Sequence, residues 1–241
     1  MNPNETLTVP RGSDLWNSIF RDREIQTESI TDTTTDKPIG QLRILGTTFE
    51  DTFRDRHSYR LAFVGTRDLS PKGHQLIIST MRYMKEIDCN TIIISGLAMG
   101  TQELVHAEAL RNGLRTVAVL PAGIGNIYPY KNKSLAEKIA STPGCCLLSQ
   151  FPDDDTPNVL NFLKRNKLMS LIPDAVIVVS TKEKGGSIVT ARMAFDFDVP
   201  VYAFPGDIED VRFKGNNKLI ALQTAEIIPD YTFFQSFKHL P

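Results

Sequence analysis

Residues 91–110 read TIIISGLAMGTQELVHAEAL: an apolar run, a loop of small residues, then a helical pattern. Thr91 to Ile94 are all β-branched and uninterrupted by charge, which suits a strand covered on both faces. Thr101 stands where a cap is wanted, Leu104, Val105, Ala109 and Leu110 share a helical face, and Gly113 closes the pattern. The same unit recurs outward in both directions. LAFV (61–64) runs into Gly65-Thr66-Arg67, TVAVL (116–120) into PAG, and AVIVV (175–179) into Ser180 and then Gly185-Gly186-Ser187. VYAF (201–204) meets Pro205-Gly206, and a weaker run, CCLL (145–148), meets SQFP.

Helical patterns fill the intervals. Ser70-Pro71 starts one with a cap and a first-turn proline, and Ile77, Ile78, Met81 and Met84 supply its stripe. Ser134 to Glu137 has the order of a capping box. Residues 159–171, 187–197 and 218–223 read as helices, and 225–228 as a last short strand. Strand and helix in alternation predict an α/β fold, a doubly wound, mostly parallel sheet flanked by helices. In such a sheet the loops beyond the carboxyl ends of the strands converge on one crevice, where ligands bind. The glycines of this chain gather at those ends.

The 241 residues suffice for one substantial core, and 41% apolar with 23% charged content is ordinary for a globular protein. No stretch approaches a membrane span, and the amino terminus lacks the layout of a secretion signal, so a cytoplasmic setting is expected. Three cysteines, two adjacent at Cys145 and Cys146, make neither a disulfide framework nor a metal spacing. Net charge is −1, from 27 basic and 28 acidic residues, so a polyanion would have to be held by a local patch. Residues 1–60 differ in texture. Leu15-Trp16, Ile19-Phe20 and Ile25 fit a short helix docked through Trp16, and Thr27 to Asp36 reads as a linker. Residues 61–230 form the expected main domain, and 231–241 a tail that packs or pairs.

Each motif has a chemical and a plain reading. Gly65, Thr66 and Arg67 offer a tight turn, amide N–H groups and a planar cation to an anion, or simply a turn with a surface arginine. Ser95, Gly96, Leu97 and the loop to Gly100 precede a helix, as an anion site requires, but the spacing is neither a dinucleotide nor a Walker fingerprint. Gly186, Ser187 and Thr190 repeat the device, although Ser187 could only cap its helix and Thr190 only bond backward. Lys164, Arg165, Asn166 and Lys167 are the densest basic cluster, with Phe162 beside them, as single-strand grooves require; the plain reading is a solvated helix face. Asp153 to Asp155 could neutralise part of that field. His106 reads as a packed histidine, and the paired cysteines as buried and inert. No catalytic constellation is recognised, so a binding protein without cofactor is expected.

Taken in order, these segments resemble the DNA-processing protein A (DprA, also Smf) family over about 160 residues. The matching stretches include LAFVGTR, SGLAMGTQELVHAEAL, SQFPDDDTPNVLNFLKRNKL, AVIVVSTKEKGGSIVTARMA, VYAFPG and KGNNKLI. QLRILG (41–46) also resembles the segment leading into that family's core. The resemblance implies an extended Rossmann fold, single-stranded DNA as ligand, a homodimer, and a RecA-type recombinase as partner during transformation. It carries Asn216 and Asn217 into the site as the late Gly-x-Asn element. Departures are Met99 for an arginine, Gln102 for an aspartate, Gln150 and Ser180 for glutamates, and Lys167 for an arginine.

Three functions of different class follow. The first is a single-stranded DNA-binding module of uptake and recombination that protects the strand and loads the recombinase. The second is a Rossmann-like nucleotide sensor or nucleotide-processing enzyme related to phosphoribohydrolases, whose Pro-Gly-Gly-x-Gly-Thr-x-x-Glu segment has only Pro205-Gly206-Asp207 as an echo. The third is an interaction protein with a decayed crevice, motivated by the losses at Met99, Gln102, Gln150 and Ser180.

Overall fold

The computed structural model describes residues 5–21 and 40–238. Its centre is β3 (Tyr59–Gly65), flanked in parallel by β4 (Thr91–Ser95) and β7 (Ala175–Ser180). Along β3, Leu61 and Phe63 point to one face and Ala62 and Val64 to the other, and all are buried. That double burial is why the strand reads as an unbroken apolar run. From β4 the sheet extends through β5 (Arg115–Val119) and β6 (Cys146–Ser149), and from β7 through β8 (Val201–Ala203) to the two-residue β9 (Glu226–Ile227). Two antiparallel strands, β2 (Gln41–Gly46) and β1 (Leu7–Pro10), complete the order β1-β2-β6-β5-β4-β3-β7-β8-β9.

On one face, Leu76, Ile77, Met81 and Met84 of α3 (Pro71–Glu86) and Val105 and Ala109 of α4 (Thr101–Arg111) meet Leu61, Phe63 and Ile177. The other face is covered by α6 (Val159–Leu171) and α7 (Gly186–Asp196), which bring Leu168, Met169, Ile188 and Ala191 against Ala62 and Val176. Near β6, α5 (Lys133–Ser141) supplies Ala136 and Ile139. The last helix, α8 (Lys214–Ala221), starts four residues earlier than the sequence pattern suggests. Ser70 accepts a hydrogen bond from Gly73 N and so caps α3 as expected. Two other caps differ. Thr101 is the first residue of α4, and its hydroxyl donates to Thr66 O; Gly100, at φ 76°, holds the cap position. Ser134 lies inside α5, whose cap position is Asn132, and the Asn132 amide reaches across to Leu97 O.

Residues before β3 join the same core. Leu15, Trp16, Ile19 and Phe20 of α1 (Asp14–Phe20) are buried, Trp16 at 4% exposure. Arg60, on β3 and 1% exposed, donates to Ile19 O at 2.5 Å, Ser18 O at 2.9 Å and Phe53 O at 2.6 Å. It thus closes the carboxyl ends of α1 and α2 (Phe49–Arg54), where bare carbonyls favour a cation. Ile25 and the stretch read as a linker, Thr27 to Asp36, lie outside the described residues. At the other end a 3₁₀ turn, Tyr231–Phe237, lays Phe234 and Phe237 into the α3 face.

Candidate nucleic-acid interface

Between β3 and β7 the order of the strands reverses: successive strands run one way from β3 and the other way from β7. The connections after these two strands therefore leave on opposite faces, and a crevice opens between them. The register shifts at Val64/Gly65, where Gly65 pairs with Ser180 at the mouth of the crevice. The crevice has a volume of about 470 Å³.

Four segments build it, one of them Ala98 and Gln102 around the start of α4. From the end of β3 come Gly65, Thr66, Arg67 and Asp68; after β7 come Thr181, Lys182 and Lys184, leading to Gly185, Gly186 and Ser187 at the start of α7. The third wall is the first half of α6, which contributes Phe162, Leu163, Arg165 and Asn166. Phe162, Arg165, Asn166 and Met169 lie three and four residues apart, so they share one helical face. Two guanidinium groups lie over the Phe162 ring, Arg67 at 5.7 Å and Arg165 at 5.6 Å from its centroid. Tyr128, exposed, meets the same ring edge to face at 5.8 Å.

Arg165 forms the floor. It is 4% exposed, and its Nη1 donates to Gln102 Oε1 at 3.3 Å and approaches Met169 Sδ at 3.6 Å. Its Nε is buried without a partner. Burial first, and then the like charge of Arg67, pulls this guanidinium down to about 10, so it stays charged at neutral pH. Gly96 makes the position possible, because a Cβ there would overlap the guanidinium.

Several predicted site residues do other work. Ser95 and Leu97 are fully buried; Ser95 Oγ donates to Phe63 O, and Leu97 packs against Ala118 and Leu120. The hydroxyls of the crevice are engaged with backbone: Thr66 Oγ1 accepts from Asp68 N, Ser187 Oγ donates to Gly65 O, and Thr190 Oγ1 donates to Gly186 O. Asn216 is a structural cross-brace, accepting from Thr181 N and donating to Val178 O, Val179 O and Phe204 O. Asn217 holds Gly206 through both its N–H and its C=O. Lys164 and Lys167 are not among the crevice residues; Lys167 Nζ sits 5.9 Å from the Phe197 ring, along the α6–α7 seam. The cations missed from the sequence are Lys182 and Lys184, whose signal was their place directly after an apolar strand. Asp68 is the acid at the rim, paired with Lys182 at 3.6 Å. The acidic run is turned elsewhere: Asp153 pairs with Arg43 at 3.3 Å, and Asp155 accepts from Asn161.

His106 is fully buried between Thr116 Oγ1 at 2.8 Å and Gly96 O at 2.6 Å, and desolvation lowers its pKa to about 4. Burial raises Cys145 and Cys146, so both stay as thiols. Among the described residues no helix is long and apolar enough to cross a membrane, and no group of His, Cys, Asp and Glu could hold a metal ion.

Comparison with known proteins places this chain in a family. The chain is 36% identical over 163 residues to the DNA processing protein DprA of Bacillus subtilis, covering 67% of this chain and 53% of that protein. It is 34% identical over 170 residues to protein Smf of Escherichia coli, of which it covers 43%. The chain thus spans about half the length of these relatives. Among solved structures, DprA from Streptococcus pneumoniae superposes with a TM-score of 0.81 at 24% identity, over 98% of this chain and 76% of that one. DNA processing protein A from Helicobacter pylori, solved for its single-stranded DNA binding mode, gives 0.77 at 24% identity, over 98% and 97%. These two likenesses show the fold, an extended Rossmann-like α/β sheet. The model of the DNA recombination-mediator protein A family matches residues 52–237, and the chain belongs to that family.

Proposed function

We propose that this protein binds single-stranded DNA in the crevice between β3 and β7, and acts in DNA uptake and homologous recombination. The observation that carries this is the pair of guanidiniums, Arg67 and Arg165, gathered at the Phe162 ring in one crevice. Single-strand grooves combine cations that follow the phosphates with aromatic faces on which bases stack. Tyr128, exposed beside Phe162, supplies such a face, and Lys182 and Lys184 extend the cationic line. The relatives named for DNA processing and the Helicobacter pylori protein studied for its single-strand binding support the same reading. The protein acts as a binder: it shields the strand and, as a homodimer, passes it to a RecA-type recombinase.

The test is fluorescence anisotropy of a labelled oligonucleotide titrated at several salt concentrations. Binding that weakens steeply with salt supports the proposal, because phosphate neutralisation releases counterions. A salt-independent signal, or stabilisation by a mononucleotide but by no oligonucleotide, would sink it.

A further inference from the structure

Arg165 is a buried cation whose partners are all neutral. Among the described residues no carboxylate pairs with it; it has Gln102 Oε1, Met169 Sδ and an unpartnered Nε. Burying a charge without a counter-ion is costly, so a ligand anion is the natural complement of this site. A second cation, Arg67, shares the Phe162 ring with it. The amino terminus of the eleven-residue α7 opens on the same crevice at Gly186 and Ser187, and its first N–H groups have no intrahelical acceptor. The Asn166 amide is beside it: a Cβ added to Gly186 would stand 3.4 Å from Asn166 Nδ2. Asp68, the acid at the rim, is paired with Lys182.

We infer that the crevice floor seats a terminal phosphomonoester, so that the protein grips the phosphorylated end of a DNA strand there. This rests on the proposed single-strand binding. Two features favour an end over an interior phosphate. An interior phosphodiester carries one negative charge, whereas a monoester carries nearly two at neutral pH and so matches two guanidiniums and a helix amino terminus. The second feature is steric. Arg165 is 4% exposed, and its Nη1 is backed by Gly96 and Gln102, so a ligand reaches it from the open side only. A diester must leave in two directions; a monoester enters end on. Gln102 is then the residue that sets the preference, because a carboxylate in its place would neutralise Arg165 from within.

The experiment compares three oligonucleotides of one sequence, with a 5′-phosphate, a 3′-phosphate or hydroxyls at both ends, by competition anisotropy at fixed salt. The wild type and Gln102→Glu are run side by side. One phosphorylated end should bind about tenfold tighter than the unphosphorylated strand, the scale of a few charge-assisted hydrogen bonds. Gln102→Glu should bring all three within about twofold, while its unfolding midpoint holds or rises because Arg165 gains a partner. Arg165→Gln should also abolish the preference, which guards against misfolding of the first variant. Equal binding of all three strands by wild type overturns the inference and leaves strand binding intact. Failure of every oligonucleotide to bind overturns both. Inorganic phosphate and a deoxynucleoside monophosphate serve as competitors; displacement by either at concentrations matching the phosphorylated strand assigns the seat to a small ligand and overturns the strand-end reading.

Discussion

Arg165 carries its charge to a place that water barely reaches, held by a glutamine and a thioether, while Gly96 gives up its side chain to admit it. Such a residue costs the free protein stability and serves the bound one. Arg165→Met should therefore weaken single-strand binding about tenfold, and nearly equally for all sequences, since phosphate contacts carry no base information. Its urea midpoint should stay or rise, because replacing an unpaired buried charge by an apolar side chain of similar length removes a desolvation penalty. A fall in stability with unchanged affinity would contradict both statements. His106 makes a different prediction. The unfolded chain takes up its proton near pH 6.5, the folded one only near 4, so acid favours the unfolded state between those values. Stability from this group is complete above pH 6.5 and declines by about 3 kcal/mol as pH falls to 4. Urea unfolding at pH 7, 5.5 and 4.5 should show that slope in wild type and a flatter one in His106→Gln.

Among the elements, Arg60 joins the amino-terminal helices to the central strand through three carbonyls at the ends of α1 and α2. Arg60→Met removes the side-chain donor from the buried Ile19 and Phe53 carbonyls and should cost about 3 kcal/mol or more. Trp16, the single tryptophan, reports on the docking: its emission should shift red at urea concentrations below the main transition in the variant only. The same scale explains what the sequence made legible. β3, β4, β5 and β7 are buried on both faces, so their apolar runs declare them. β1 shows no such run, because Thr8 and Pro10 are exposed, and β2 joins the sheet by pairing with β6, about a hundred residues away in the chain. Basic density along the chain does not follow the crevice, for a related reason. Lys164 and Lys167 neighbour Arg165 in the chain, but a helix turns each successive residue by about 100°, and they leave the face that Phe162, Arg165 and Asn166 share. Lys182 and Lys184 look unremarkable in a polar loop and still reach the crevice, because β7 ends there. The asparagines 216 and 217 match a motif whose chemistry is the bracing of loops.

For the whole molecule, a net charge of −1 means that any attraction for DNA is local. Four cations line the crevice: Arg67, Arg165, Lys182 and Lys184. If all four meet phosphates, log affinity should fall against log salt with a slope of about −3 for single strands. Converting Lys182 and Lys184 together to alanine should halve it to about −1.4. A slope unchanged in the double variant would move the phosphate track off this crevice.

The antiparallel ribbon of β1 and β2 has a consequence for how the protein is made. A ribosome delivers residues 7–46 before residues 146–149 of β6, the strand to which β2 bonds, with about a hundred residues between them. β1 and β2 therefore wait for β6 before they join the sheet, and translation must proceed meanwhile. Nascent chains arrested before residue 146 should be cut readily by protease within residues 7–20, and chains released at full length should resist there. Equal resistance in both would mean that the early segment shelters itself.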